Sequence, residues 1–584
     1  MQLLNAIKTV RLFQEKENLI SLWTRWGKSL DKKHILQEYP RPQMKRDNYQ
    51  MLNGLWDYCF SKTTTFPDVY EGKILVPFSP ESQLSQVERQ LQPDEYLWYQ
   101  TSLDVSPSCN KRCLLHFGAV DQIADVYINQ LLMEHHVGGY LPFTIDITDA
   151  LKEKDNLLTV CVQDLSDTSY HSKGKQRLNR GGMYYTAQSG IWQSVWLEWV
   201  PRNYIQDVKI IPDYDHDQIK VSIIWSDIAP SNIQMTVSHQ NPVSFIEPHD
   251  CYILPIKNKQ SWSPDHPYLY SLQIKTEHDE VECYFAMRIY TIEKDQNNIP
   301  RVCLNHQPIF MNGVLDQGYW PDGLYTAPAD EALIYDIQTM KDLGFNMIRK
   351  HIKIEPSRWY YHCDRLGMIV WQDMVNGGDP YHTWFITWMP SVLSWTKKHI
   401  SDKHSYLLSR KNQKGKDEWI LECQKTIEYL SHFPCISTWV LFNEAWGQFQ
   451  TKELTQYIRQ LDETRFIDSA SGWFDQHCGD FRSEHHYFDK PQIIPDKRAF
   501  VISEYGGYAC PVASHMSVSK VYGYGAYENL EDFSKAYHEL FKQTIAPLIK
   551  QGLCGAVYTQ VSDIEEEVNG LLTYDREICK LISK

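Results

Sequence analysis

Thr438-Trp439-Val440-Leu441-Phe442-Asn443-Glu444-Ala445-Trp446-Gly447 and Phe500-Val501-Ile502-Ser503-Glu504-Tyr505-Gly506-Gly507 share one pattern, a short apolar run that stops at a glutamate. Runs of this length, bounded by polar residues and glycine, read as buried strands of a parallel sheet. Working outward, similar runs recur near 309–313, 345–349, 368–373, 466–469, 483–487 and 555–561. With 438–443 and 500–504 they give eight candidate strands within residues 299–584. Helical stretches separate them. Ala329 to Leu343 carries Ala332, Leu333, Ile337, Met340 and Leu343 near helical spacing, with Asp330 as the expected N-cap, and a second helix is expected from about Lys414 to Ser431. Strands alternating with helices predict a (β/α)8 TIM barrel, whose chemistry sits at the C-terminal ends of its strands. Both glutamates are expected at that rim.

A chain of 584 residues is too long for one core, so further domains must precede the barrel. From about 41 to 200 the pattern is of short alternating runs, such as Ala124-Asp125-Val126-Tyr127-Ile128-Asn129 and Asn156-Leu157-Leu158-Thr159-Val160-Cys161-Val162, broken by turn residues. This predicts an antiparallel β-sandwich. Residues 201–298, including Gln218-Ile219-Lys220-Val221-Ser222-Ile223-Ile224-Trp225, have the size and pattern of an immunoglobulin-like β-sandwich. Residues 1–40 read as a leader that packs on the body, with a candidate helix near Ile7 to Trp23.

Composition excludes several classes. The net charge of -15 repels polyanions, so no nucleic acid and no anionic membrane is expected as a partner. Neither the opening residues nor any later stretch has the apolar run of a signal peptide or membrane span, which leads to the expectation of a cytoplasmic protein. The 14 cysteines contain no CxxC pair, which suits reduced, buried thiols better than disulfides or a zinc site. No feature fixes the oligomeric state, and a homo-oligomer stays open. Aromatic residues are abundant, with 36 Tyr and 19 Trp; such rings stack on sugars but also fill cores.

Two carboxylates at one barrel rim are what hydrolysis of a glycosidic bond needs: one protonates the leaving oxygen, the other captures the oxocarbenium-like centre. A lone glutamate at a strand end also suits a rim salt bridge. The pair is more telling, because Asn443, Gly506 and Gly507 beside the glutamates would let a substrate approach closely.

On these residues the chain resembles glycoside hydrolase family 2, the β-galactosidase, β-glucuronidase and β-mannosidase group, over about residues 41 to 575. In the first domain Arg41-Pro42, Leu52-Asn53-Gly54-Leu55-Trp56-Asp57, Val76-Pro77-Phe78-Ser79-Pro80-Glu81 and Ser189-Gly190-Ile191-Trp192-Gln193-Ser194-Val195-Trp196-Leu197-Glu198 look like that family's sugar-binding jelly roll. Asn443-Glu444 matches its acid/base motif, and Ser503-Glu504-Tyr505-Gly506-Gly507 its nucleophile motif. The resemblance implies that Glu444 is general acid/base and Glu504 nucleophile of a retaining, exo-acting β-glycosidase needing no cofactor. It implies that Asn443 bonds the sugar 2-hydroxyl, that Tyr487 orients the nucleophile, and that Arg349 and Asp373 line the sugar pocket, although those two also suit a structural ion pair. His351, Trp446 and Trp473 complete the substrate-binding candidates. Trp320, Trp371, Trp446 and Trp473 are as suited to packing the rim as to forming sugar platforms.

Departures narrow the substrate. Glucuronidases of the family carry an Asn-x-Lys after the nucleophile to hold the uronate, and none follows Glu504; Asn412-Gln413-Lys414 precedes the acid/base. A terminal neutral sugar is therefore expected on a glycoside or oligosaccharide, with a β-galactoside first and a β-mannoside or furanoside as alternatives. The segments Leu315-Asp316-Gln317-Gly318-Tyr319-Trp320 and Tyr558-Thr559-Gln560-Val561-Ser562-Asp563 differ from the metal-dependent β-galactosidases, so no structural Mg2+ is expected. A catalytically silent carbohydrate-binding protein is the rival from another class, and a barrel with unrelated chemistry lacks a phosphate loop or cofactor motif.

Overall fold

The computed structural model describes residues 18–381, 400–487, 490–519, 521–523 and 525–582. Most of the candidate leader helix lies outside the described residues; Leu19 to Trp23 is not helical, and a single turn, Arg25–Lys28, follows it with Thr24 as N-cap. Thr24 also donates through N and Oγ1 to Asp322 Oδ2 at 2.9 and 2.7 Å, which fastens the leader to the barrel.

The first sandwich packs a six-stranded antiparallel sheet, with 54–61, 96–103 and 156–163 at its centre, on a four-stranded sheet built around 111–117 and 195–201. Alternation does what it predicts: in Ile123–Ile128, Ala124, Val126 and Ile128 point into a core with Trp56, Leu115, Phe117 and Val160. The second sandwich closes over Val208, Ile219, Leu272 and Ile274. It recruits a strand from upstream: Met44–Lys45 pairs with Glu280–Phe285, and Met44 sits in that second core. The chain thus visits the second sandwich before completing the first.

The barrel strands are β1 (Met311–Asp316), β2 (Met347–Lys350), β3 (Ile369–Asp373), β4 (Ile436–Val440), β5 (Phe466–Asp468), β6 (Phe481–His486), β7 (Ala499–Gly506) and β8 (Leu553–Thr559). They pair in parallel in the order β5-β4-β3-β2-β1-β8-β7-β6, so that among the described residues the ladder is open only between β5 and β6. This is a nearly closed TIM barrel. Helix α1 (Asp330–Asp342) follows β1, and α2 (Ser357–Leu366) follows β2. The N-cap of α1 is Ala329, not Asp330. The Asp330 carboxylate is turned to Arg358 Nη2 at 2.6 Å and His362 Nε2 at 2.8 Å, an ion pair stronger than the cap it replaces. Helix α3 (Gln413–Leu430) begins at Asn412, whose side chain accepts from Lys414 N at 2.9 Å, so Asn412-Gln413-Lys414 is a helix start.

The motif Gly190-Ile191-Trp192-Gln193 joins sandwich to barrel. Ile191 faces the sandwich core, while Trp192 faces the barrel and donates Nε1 to Gly139 O at 2.7 Å. Gly190, at φ +74, has Tyr99 Oη 2.0 Å from where a Cβ would stand, so no side chain fits. Upstream, residues 171–186 leave the sandwich and wall the barrel mouth. Lys173 N bonds Asn376 O at 2.8 Å, Gln317 Nε2 bonds Tyr185 Oη at 2.7 Å, and Thr186 N bonds Glu565 Oε1 at 3.1 Å. All 14 cysteines are free thiols, and among the described residues no helix is long and apolar enough to cross a membrane.

Candidate active site

Strand β7 does not stop at Ser503 but runs on to Gly506. Its register against β6 and β8 shifts around Ser503-Glu504, a bulge that re-aims the Glu504 side chain into the mouth. At Gly506, φ +86, a Cβ would meet the Tyr558 ring at 2.3 Å, so glycine lets the strand leave past that ring. Glu504 is 7% exposed. Arg349 Nη1 stands 3.2 Å from its Oε1, His485 Nε2 3.6 Å from the same oxygen, and the Tyr487 hydroxyl donates to Oε2. Burial pushes this carboxyl up, but His485, Arg349, His351 and Lys175 together outweigh burial and hold it at about 2. It is an anion across the working pH range.

Glu444 is placed differently. Beyond β4, Asn443 bridges to Ser471, and then Glu444 and Ala445 take left-handed backbone angles, φ +48 and +63. Two such residues in a row cost about 1–3 kcal/mol each. The turn is held by Glu444 N to Ser471 O and Trp446 N to Asn443 O, both 2.9 Å, and it lifts the carboxylate off the strand line. Glu444 Oε1 lies 2.9 Å from His485 Nδ1, and the side chain is 19% exposed. One carboxylate oxygen of Glu444, one of Glu504 and a ring nitrogen of His485 all lie within 4.8 Å of one another.

Arg349, at the end of β2, ties the groups together. It grips Asp373 through Nε and Nη2, both at 2.9 Å, and donates to Asn443 Oδ1 at 2.9 Å and to Ser503 O at 3.0 Å. Asp373 also holds His351 Nδ1 at 2.7 Å. The Asn443 amide is thereby oriented with its NH2 group left for a ligand. The structure thus brings Glu444, Glu504, Asn443, Tyr487, Arg349, Asp373 and His351 into one mouth.

The tryptophans divide. Trp371 is fully buried on Phe481, and Trp320 lies under Arg576, so both are packing residues. Trp446 is 1% exposed between Tyr184 and Tyr381, which leaves it no open face for stacking. Trp473 is partly buried, packs against Ala445 and Phe474, and has its ring centre 5.5 Å from that of His485.

Sequence reading passed over His485, the group between the two carboxylates. It precedes Tyr487 by two, and on a strand that spacing puts both side chains on one face, a signal that was available. Ser471, which bonds His485 Nε2 and Ser503 Oγ at 2.9 Å each, and Lys175, which comes from another domain, carried no local signal.

Three family models match the chain in order: "Glycosyl hydrolases family 2, sugar binding domain" over residues 87–201, "Glycosyl hydrolases family 2" over 203–288, and "Glycosyl hydrolases family 2, TIM barrel domain" over 297–577. Among curated proteins the chain is similar to a beta-galactosidase of Thermoanaerobacter pseudethanolicus, 23% identical over 453 residues, which cover 73% of this chain and 56% of that protein. A beta-galactosidase of Lactococcus lactis is 30% identical over 250 residues, 40% of this chain and 23% of that protein. The chain therefore spans about half, or less, of the length of these relatives. Among solved structures, a Ruminococcus gnavus beta-glucuronidase superposes with TM-score 0.70 at 17% identity, covering 93% of this chain and 97% of that one. A beta-galacturonidase from Eisenbergiella tayi bound to galacturonate gives TM-score 0.67 at 17% identity, covering 91% of this chain and 95% of that one. At such identity these two show the fold alone.

Proposed function

The chain belongs to family 2 of the glycosyl hydrolases, and on that premise we propose that it removes a terminal β-linked sugar with retention of configuration. Glu504 attacks the anomeric carbon while Glu444 gives its proton to the leaving oxygen. Glu444 then takes a proton from water, which displaces Glu504 and releases the sugar. The observation that carries this reading is the spacing: one carboxylate oxygen of Glu444 and one of Glu504 lie within 4.8 Å, which suits groups standing ~5–5.5 Å apart for direct attack better than the ~6.5–9.5 Å at which inversion seats a water. The Asn443 NH2 group is disposed to bond the sugar 2-hydroxyl, and Tyr487 steadies the nucleophile. The wall made by residues 171–186 favours a pocket over a through-going groove, hence attack on chain ends.

The neutral-sugar expectation, a β-galactoside first, draws support from curated relatives named for that activity. A second reading, a uronic acid, draws on Lys175, whose charge acts on Glu504 and His351 at the mouth. Incubation with 2-fluoro glycosides carrying a good leaving group, followed by peptide mass spectrometry, is expected to label Glu504. Label on another residue, or turnover of no member of a nitrophenyl β-glycoside panel, would sink the proposal.

A further inference from the structure

His485 meets both carboxylates of the mouth, yet the two-carboxylate mechanism gives it no part. Its side chain is fully buried and its ring is held on several sides. Gly472, at φ +86, stands against it: a Cβ there would lie 2.7 Å from ring atoms Cγ and Nδ1, so the glycine leaves the room that the imidazole occupies. The Trp473 ring centre is 5.5 Å away, and that of Tyr487, met edge-on, is 6.4 Å away. A ring fixed in this way presents each nitrogen to its own partners. Nδ1 meets Glu444 Oε1 at 2.9 Å, while Nε2 meets Ser471 Oγ at 2.9 Å and Glu504 Oε1 at 3.6 Å.

The groups around Nε2 decide which nitrogen carries a hydrogen. Ser471 Oγ donates to Ser503 Oγ at 2.9 Å, and Ser483 Oγ donates to the same oxygen at 2.6 Å, all three side chains being buried. The single hydroxyl hydrogen of Ser471 is thereby engaged, so towards His485 its oxygen accepts. The other neighbour of Nε2 is Glu504, an anion, which would repel a bare nitrogen lone pair. Both arguments put a hydrogen on Nε2. Nδ1 then either accepts from a protonated Glu444 or, itself protonated, donates to the carboxylate; in both arrangements one proton lies in the Oε1···Nδ1 contact. The surroundings favour keeping it there. Glu504 from β7 and Asp468 from the end of β5 both act on the imidazole, while Arg349, on β2, is engaged by Asp373 and Glu504.

We propose that His485 is a positioning residue that holds the acid proton of the reaction ready: Ser471 and Glu504 fix its Nε2–H, and its Nδ1 shares one proton with Glu444 Oε1. The inference rests on the glycosidase reading for its effect on turnover but not for the shared proton itself. In the first step Glu444 passes that proton to the leaving oxygen as the bond from this oxygen to the anomeric carbon breaks and Glu504 bonds to the carbon. The carboxylate left behind faces a bare Nδ1, which gives it no hydrogen bond, so it is ready to take a proton from water. The hydroxide part of that water bonds to the anomeric carbon, Glu504 leaves, and the proton returns to the contact between Glu444 and His485.

The test uses the full chain with His485→Phe, which keeps a ring in the space beside Gly472, and His485→Asn, which can hydrogen-bond Glu444 but cannot take its proton. Both are compared with the native protein on nitrophenyl and alkyl β-glycosides of whichever sugar is turned over. At pH 7 each variant is expected to lose about 30-fold or more in kcat on the alkyl glycoside and about threefold or less on the nitrophenyl glycoside, with KM changed less than kcat. The basic limb of kcat/KM should move down by about one pH unit, since the pair keeps its proton to higher pH than one carboxyl would. Equal losses on both leaving groups with the limb unmoved would mean that His485 only props the site, and an upward shift would mean that it stabilises the carboxylate; either result overturns the proposal. Nitrogen NMR of protein carrying isotope-labelled histidine reads the same claim without turnover. Near pH 7 the His485 signal, identified as the one displaced in Glu444→Gln, should show a protonated Nε2. A bare Nε2 beside a protonated Nδ1 overturns the proposal, whether or not the His485 variants fold. If no glycoside is turned over while Nε2 is protonated, the hydrolase reading fails and this one stands.

Discussion

Glu504 sits in a bulge of β7, almost wholly buried, with Arg349, Tyr487 and His485 on its oxygens, whereas Glu444 stands on a strained turn beyond β4, more open, with His485 as its side-chain hydrogen-bond partner among the described residues. The same side chain has two environments a few ångströms apart. Cations and a phenol fix the first as an anion aimed at the ring; openness lets the second exchange protons with a leaving group and then with water. The difference teaches that the roles are set by what surrounds each carboxylate, since the residues themselves are identical.

The contrast can be broken by mutation. Glu504→Gln should remove the covalent path and lower kcat by about 10^5-fold or more on every substrate, measured against the uncatalysed rate. Glu444→Gln should cost about 10^2- to 10^4-fold on glycosides with poor leaving groups and far less on nitrophenyl glycosides, with added azide restoring turnover as a glycosyl azide. If the two variants behaved alike across leaving groups, the assigned division of labour would be wrong.

Arg349→Gln sharpens the comparison by removing a cation from Glu504 and none from Glu444, while also releasing Asp373 and Asn443. The folded Glu504 carboxyl, held at about 2, lies below its ordinary value of 4.5, so the acid limb of kcat/KM falls in that low range while Arg349 is present. Removing this cation should raise the limb by about one pH unit or more, and lower kcat/KM by about 100-fold, read from a pH–rate profile. The smallest effect on chemistry is expected from Asp330→Asn, which breaks a similar pair with Arg358 outside the mouth. Burial raises that carboxyl, but Arg358 and His362 hold it far below the usual carboxylate range, so its stabilisation is full at neutral pH and is lost as the pH falls. The variant should lose about 3 kcal/mol in urea unfolding at pH 7 with turnover at 25 °C changed less than about twofold.

Much of this was legible in sequence because burial writes itself locally. Each barrel strand is a run such as Ile369-Val370-Trp371 whose apolar character leaves little choice, and Glu444 and Glu504 follow runs of that kind. Strand ends were less legible: the seventh candidate strand ends at Glu504, whereas β7 runs on through a bulge to Gly506. Asp330 has the residue type of an N-cap, but an arginine and a histidine distant in sequence claim its carboxylate. The tryptophans stayed open between platform and packing for a related reason, since nothing local shows that Arg576 covers Trp320 or that Tyr184 and Tyr381 cover Trp446. Lys175 could not be found at all, because its place in the mouth depends on how one domain docks on another.

The claim on which the rest depends is that both carboxylates reach one anomeric carbon at the spacing of a double displacement. Proton NMR of the first sugar released, recorded before mutarotation on whichever nitrophenyl β-glycoside is turned over, reads this directly. The β-anomer is expected to appear first and the α-anomer to follow only as the sugar equilibrates; an α-anomer formed from the outset would mean a water attacks in one step, and would contradict the account.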